Sequence, residues 1–247
     1  MKKFTINLLS ALFWIGIWEV IYLCVDKNFL LASPLAVAQN LVILLTKKST
    51  YYIMLMSLLR ILTGFLAAIV IGCLFAYASF RVKPLRPLIE ILFKIIKLSP
   101  IVSFIIIALV YVPEWIIVPL ISFLMVTPVF YYSTLSSLRN VDKKMIEMAR
   151  MYELSPYQKL KYIYINSGRK AFVGAIETGI GFAFKSGITA EVLVLPKVSF
   201  GMMLYTSKIY LDGLNLASYT IILIILAILV EKLVIFFAKK VTEPWQK

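Results

Sequence analysis

Apolar runs long enough to cross a bilayer recur along this 247-residue chain, and a basic insert at residues 139–170 keeps one stretch of it wet. A hydrocarbon core about 30 Å thick requires roughly 20 apolar residues in a helix, whose backbone polar groups are all satisfied internally. The alternating pattern of a membrane β-barrel is absent. The fold class that follows is an all-α polytopic membrane protein. A hydrophobic fraction of 62% and a mean hydropathy of +0.93 agree with it.

Six spans are predicted, at residues 8–25, 53–80, 88–111, 115–137, 171–195 and 216–238. The first, preceded by Lys2 and Lys3, is long and has no clear small-residue cleavage site, so it reads as an uncleaved span. Residues 34–46 read as a short helix in the outer interface, with Ser33 at its N-cap and Pro34 in its first turn. Pro100 marks a break or kink in the third span; Pro119 and Pro128 lie inside the fourth. The polar segment 196–215 holds one short helix. No repeat or low-complexity linker is visible, so the whole chain, 1–247, reads as one membrane domain.

Charge orients these spans. The segments that an even span number places with the termini hold sixteen Lys or Arg, against five (Lys27, Lys47, Lys48, Lys197 and Lys208) on the other side. Positively charged loops stay cytoplasmic, so the termini are expected inside, an N-in/C-in arrangement. The net charge of +14 is explained by this bias and by anionic lipid on the same face, not by nucleic acid. There is no histidine and no G-x-x-x-x-G-K-[ST] loop. Two cysteines, Cys24 and Cys73, sit in apolar runs, and no disulfide framework is expected. No clustered catalytic set stands out, so the chain is expected to do no bond chemistry.

Three constellations remain. In the insert, Met145, Met148, Tyr152 and Ser155 recur at helical steps. A short cytosolic helix here either fills a groove on a partner with Met148, Met151, Tyr152 and Leu154 exposed, or lies on lipid headgroups. In the fifth span, Ala175, Gly179, Ala183 and Gly187 sit four apart, a ladder that lets backbones approach closely, within one subunit or between two. Lys185 lies near the middle of that span. A charge there costs about 2.5–3.5 kcal/mol or more against lipid, so Lys185 is expected to face protein or water. It either attracts an anionic substrate or pairs with a carboxylate. Glu177 is poorly aligned for that, about 80° around the helix, and Glu191 lies near the outer end. Glu19 and Arg60, on the first two spans, are a candidate pair. In the outer segment, Tyr205, Lys208, Tyr210 and Asp212 serve as interface anchors or as contacts for an external protein.

The insert resembles the cytoplasmic loop of ABC importer permeases, whose pattern is E-A-A-x3-G-x9-I-x-L-P. Glu147, Ala149 and Ile163 match; Met148, Glu153, Ile165 and Asn166 replace Ala, Gly, Leu and Pro. Three further segments are similar to the nitrate/sulfonate/taurine branch of these permeases. They are L-A-S-P-L-A-V at 31–37, S-L-L-R-I-L-T-G-F at 57–65, and I-G-F-A-F-K-S-G-I-T-A-E at 180–191, with Phe184 where the branch has Trp. The resemblance implies a type I importer permease with a coupling helix at about 144–156, in which Glu147, Met148, Ala149, Met151, Tyr152, Leu154 and Ser155 meet an ATPase. It also implies a translocation path or permease interface at Gly179, Ala183, Lys185, Gly187 and Glu191. The implied partners are two ATPase subunits that carry ATP and Mg, a second permease copy and an external solute-binding protein, in the bacterial cytoplasmic membrane. The implied cargo is a small solute: an anion such as a sulfonate, nitrate or bicarbonate, or a thiamine-precursor-like organic. The rival class is an ion-coupled secondary transporter. It calls for coupling carboxylates near the midplane and often for repeated halves, whereas the acidic residues here lie mostly near span ends.

Overall fold

The structure, a computed structural model, describes residues 2–25 and 32–242. Lys27 and Lys247, both counted in the charge asymmetry, lie outside the described residues. Every regular element among those residues is helical. In order they are α1 (Lys2–Val25), α2 (Pro34–Thr46), α3 (Lys48–Arg81), α4 (Leu85–Leu98), α5 (Ile101–Tyr111) and α6 (Glu114–Arg139). These are followed by α7 (Lys143–Met151), α8 (Pro156–Lys159), α9 (Ile165–Val194), α10 (Phe200–Ile209) and α11 (Gly213–Thr242). A single π-turn, Leu160–Tyr164, joins α8 to α9.

The chain packs as two compact units. One gathers the described residues within Met1–Ser57 and Leu195–Leu226, the other those within Leu58–Val194 and Ala227–Lys247. In the first unit, α2 starts as expected: Ala36 N–H donates to Ser33 Oγ at 3.2 Å, and Pro34 stands where no intrahelical donor is needed. Asn40 Nδ2 donates to Asn215 Oδ1 (2.9 Å) and Ser218 Oγ (3.0 Å) on α11. Phe200, wholly buried, sends its N–H to Ser57 Oγ at 3.0 Å and meets the Tyr219 ring edge to face.

The second unit is built on α6 and α9. Val126 and Phe130 of α6 close on Gly179 of α9, the Phe130 and Phe172 rings lie 5.7 Å apart, and Ser122 Oγ donates to the Ala183 carbonyl at 3.4 Å. α3 crosses α6 where Gly64 abuts the Pro119 carbonyl and Gly72 abuts Phe130 and the Thr127 carbonyl; a side chain at either glycine would hold the helices apart. α4 lays Ile89, Phe93 and Ile96 on Tyr131 and Leu135, and Tyr131 Oη bonds Ser79 Oγ at 3.1 Å.

The third expected span is not straight. α4 and α5 meet at 101° across Ser99 and Pro100. The proline ring drives the preceding residue out of the helical region, and Ser99 is extended at ψ 142°. Among the described residues, three helices are long and apolar enough to cross a membrane: Lys48–Arg81, Glu114–Arg139 and Gly213–Lys240; the bent pair makes a fourth if counted as one span. The apolar stretch described in α1, Leu12–Cys24, is shorter, and α9 carries Glu177, Lys185 and Glu191 along its length.

Candidate functional site

The basic insert folds as a small self-supporting module. Asp142 caps α7, its carboxylate accepting from Lys144 N–H at 2.9 Å. The helix ends in a left-handed turn at Glu153 (φ 50°). Glu153 N–H reaches the Arg150 carbonyl at 3.1 Å and Leu154 N–H reaches the Ala149 carbonyl at 3.0 Å, the paired bonds of a Schellman cap. Glycine is the usual residue at that position because it lacks the Cβ that crowds the backbone there. Glu153 adopts the conformation all the same. Ser155 then opens α8 with a capping box: Gln158 N–H donates to Ser155 Oγ, and Ser155 N–H donates to Gln158 Oε1 at 2.8 Å.

These caps divide the insert into two faces. Val141, Ala149 and Ile163 are buried, with Ile146, Leu154 and Tyr164 packed against them. Tyr164 meets the Phe80 ring of α3 edge to face at 5.5 Å, which ties the module to the helices beneath it. Outward stand Met148, Met151 (84% exposed) and Tyr152 (75% exposed), with Glu147 and Arg150 beside them. Leu154, expected on this outer face, turns inward instead because it closes the Schellman turn onto Ala149. Ser155 is engaged as a cap. The S-x-x-Q signature of Ser155 and Gln158 was available in the sequence and would have found this cap. No turn follows at Asn166, which lies inside α9: Asn keeps the N–H that proline would remove, so the helix continues.

On α9 the small-residue ladder faces inward. Ala175 and Ala183 are buried; a Cβ on Gly179 would meet Phe130 (3.1 Å), Phe65 (3.2 Å) and Val126 (3.4 Å). A Cβ on Gly187 would lie 2.6 Å from Ile61 Cγ1 and 2.9 Å from Ser122 Oγ. The ladder therefore packs α9 on α3 and α6 within this chain. The opposite face is different: Glu177, Thr178 and Lys185 are exposed, and Gly174 and Gly181 have nothing within 4 Å of where a Cβ would stand. Glu177 and Lys185, weighed above as a poorly aligned pair, thus share an exposed side of α9 with Thr178 and Phe182, and the sequence did not show that these four stand together.

Glu191 is wholly buried, and Arg60 Nη1 on α3 approaches its Oε1 at 3.3 Å. Within this unit the carboxylate set on Arg60 is thus Glu191, 131 residues later in the chain, a partner that the sequence did not suggest. In the segment 196–215, Lys208 and Tyr210 are exposed beside Ile209 and Leu211, whereas Tyr205 is half-buried. Asp212 is engaged in capping α11, its Oδ1 accepting from Asn215 N–H at 2.9 Å. Leu211 adopts φ 53°, so α10 also ends in a left-handed turn without glycine.

A family model described as binding-protein-dependent transport system inner membrane component matches residues 68–246, from the middle of α3 through α11. No curated protein matches the chain.

Proposed function

The chain belongs to the family of binding-protein-dependent transport system inner membrane components, and on that premise we propose that α7 and its turn couple a cytosolic ATPase to the α6–α9 pair of an importer. Membership makes it an ABC transport permease, a membrane protein that works with a solute-binding protein and an ATPase. The spans are α1, α3, the bent α4–α5, α6, α9 and α11, N-in and C-in, in the bacterial cytoplasmic membrane. The charge asymmetry supports this orientation. Two ATPase subunits carry ATP and Mg, and two copies of this chain form the path. Closure of the ATPases displaces α7 and rocks α6 against its partners to alternate access.

The observation that carries this reading is the two-faced insert. Its inner face meets α3 through the Tyr164–Phe80 ring contact, and its outer face presents Met148, Met151 and Tyr152, large side chains suited to a groove. The segments at 31–37, 57–65 and 180–191 support the nitrate/sulfonate/taurine branch. The exposed Lys185 on α9 favours a small anion as cargo. Lys208 and Tyr210, exposed at the end of α10, are the surface for the solute-binding protein.

Replacing Met151 and Tyr152 together by Asp tests the coupling role. Loss of central anchors costs about 2 kcal/mol or more, roughly 30-fold in affinity. The ATPase should drop out of the purified complex while the permease stays monodisperse with an unchanged melting curve. Retention of the ATPase at the wild-type ratio would refute the assignment.

A further inference from the structure

We propose that the second unit binds an anionic phospholipid in a cavity between α3, α6 and the start of α9, with an acyl chain inside and the phosphate on Arg169. The cavity measures about 650 Å³, a volume typical of small-ligand sites. Its walls include Cys73, Leu74 and Tyr77 of α3, Thr134 of α6, and Arg169 and Phe172 of α9.

The chemistry of the walls selects an amphiphile. The serine and threonine hydroxyls that line it are engaged with protein atoms: Ser133 Oγ donates to the Ala171 carbonyl, Ser137 Oγ donates to the Ser133 carbonyl, and Thr134 Oγ1 lies 3.4 Å from Cys73 Sγ. The body of the cavity therefore offers apolar surface, which holds water poorly. One end is cationic. Arg169 lines it, and Arg81 donates through Nε to Tyr77 Oη at 2.9 Å with its guanidinium 5.4 Å from the Tyr77 ring centre. A guanidinium fork matches phosphate oxygens in geometry and charge.

Position favours a lipid over a soluble ligand. On α3 the wall runs from Val70 to Tyr77, about 10 Å of helix and so most of the roughly 15 Å hydrocarbon depth of one leaflet. Val70 and Leu74, on this wall, continue an exposed apolar stripe from Leu59 and Leu66. The basic ends of α3 at Arg81 and of α6 at Arg139, with Arg169 and Lys170 on α9, mark where that leaflet meets water. Anionic headgroups gather against such a boundary. The site requires only that the chain is embedded in a membrane; the proposed orientation decides which leaflet supplies the lipid.

Native mass spectrometry of the detergent-purified chain, exchanged with phosphatidylglycerol or phosphatidylcholine, tests this. Wild type should retain one phosphatidylglycerol and no phosphatidylcholine. Arg169→Gln should lose it, and Leu74→Trp, which fills the cavity from an exposed wall and keeps both arginines, should lose it too. Cys73 gives a second readout, since Cys24→Ser leaves it the single thiol of the two in the chain. In vesicles of equal phosphatidylcholine and phosphatidylglycerol, its alkylation by a membrane-permeant maleimide should be about tenfold slower than in phosphatidylcholine alone, the protection given by nine-tenths occupancy. Equal rates overturn the proposal: uniformly slow alkylation means protein covers the cavity, and uniformly fast alkylation means it stands empty. Retention of phosphatidylglycerol by both variants overturns it as well. None of these outcomes depends on ATPase docking or transport.

Discussion

The α7 module and the α9 ladder are held by different forces. In the module, order comes from neighbours in sequence: Asp142 caps one end, a Schellman turn closes the other, and Ser155 with Gln158 restarts the chain. In the ladder, order comes from residues far away: Gly179 rests on Phe65 and Phe130, and Glu191 is set against Arg60, 131 residues earlier. A locally closed unit can present changed side chains without losing its shape. A helix seated by long-range packing cannot. Substitutions on the module's outer face should therefore alter association, and those on the ladder should alter folding.

The largest expected effect is at the buried ion pair. Arg60→Met takes the guanidinium from a carboxylate that is 0% exposed, and breaking a buried pair from one side costs about 3–5 kcal/mol. The variant should lose monodispersity in gel filtration. Replacing both partners, Arg60→Met with Glu191→Met, removes the charge as well and should recover most of that loss. A double variant no better than the single one would show that the pair is not what seats α9. Next comes Gly179→Leu, which drives a branched side chain into Phe130 and Phe65. Overpacking of this kind costs about 1–3 kcal/mol. The expected result is a lower melting temperature in the isolated chain. A variant that melts normally but fails to assemble would move the ladder to a subunit interface.

The sequence was informative where structure is local. Ser33 and Pro34 announced the start of α2 to the residue, and Pro100 located the break between α4 and α5, though not its 101° angle, which depends on what α4 packs against. The apolar runs located the long helices. What lay hidden was partnership. A four-residue spacing of small side chains says that a helix face is flat, not which helix lies on it. The charge on Arg60 says that a carboxylate is near, not that it comes from α9. The inward turn of Leu154 was hidden for a third reason: it depends on a left-handed residue that the usual glycine signal would have marked and Glu153 does not.

That residue supplies the smallest and sharpest comparison. If the module is closed by its own caps, relieving the strain at Glu153 should stabilise it and leave α9 untouched. A non-glycine residue in the left-handed region pays about 1 kcal/mol for its Cβ. Glu153→Gly removes that Cβ and keeps both backbone bonds to Ala149 and Arg150. Hydrogen exchange of the amides from Lys143 to Leu154 should then slow several-fold, with the amides from Ala175 to Glu191 unchanged. Faster exchange across α7 would mean that the exposed Glu153 side chain holds the turn through contacts of its own. A change that spread into α9 would mean that the two regions are one cooperative body, and that the division between local and long-range order fails at the point where the π-turn joins them.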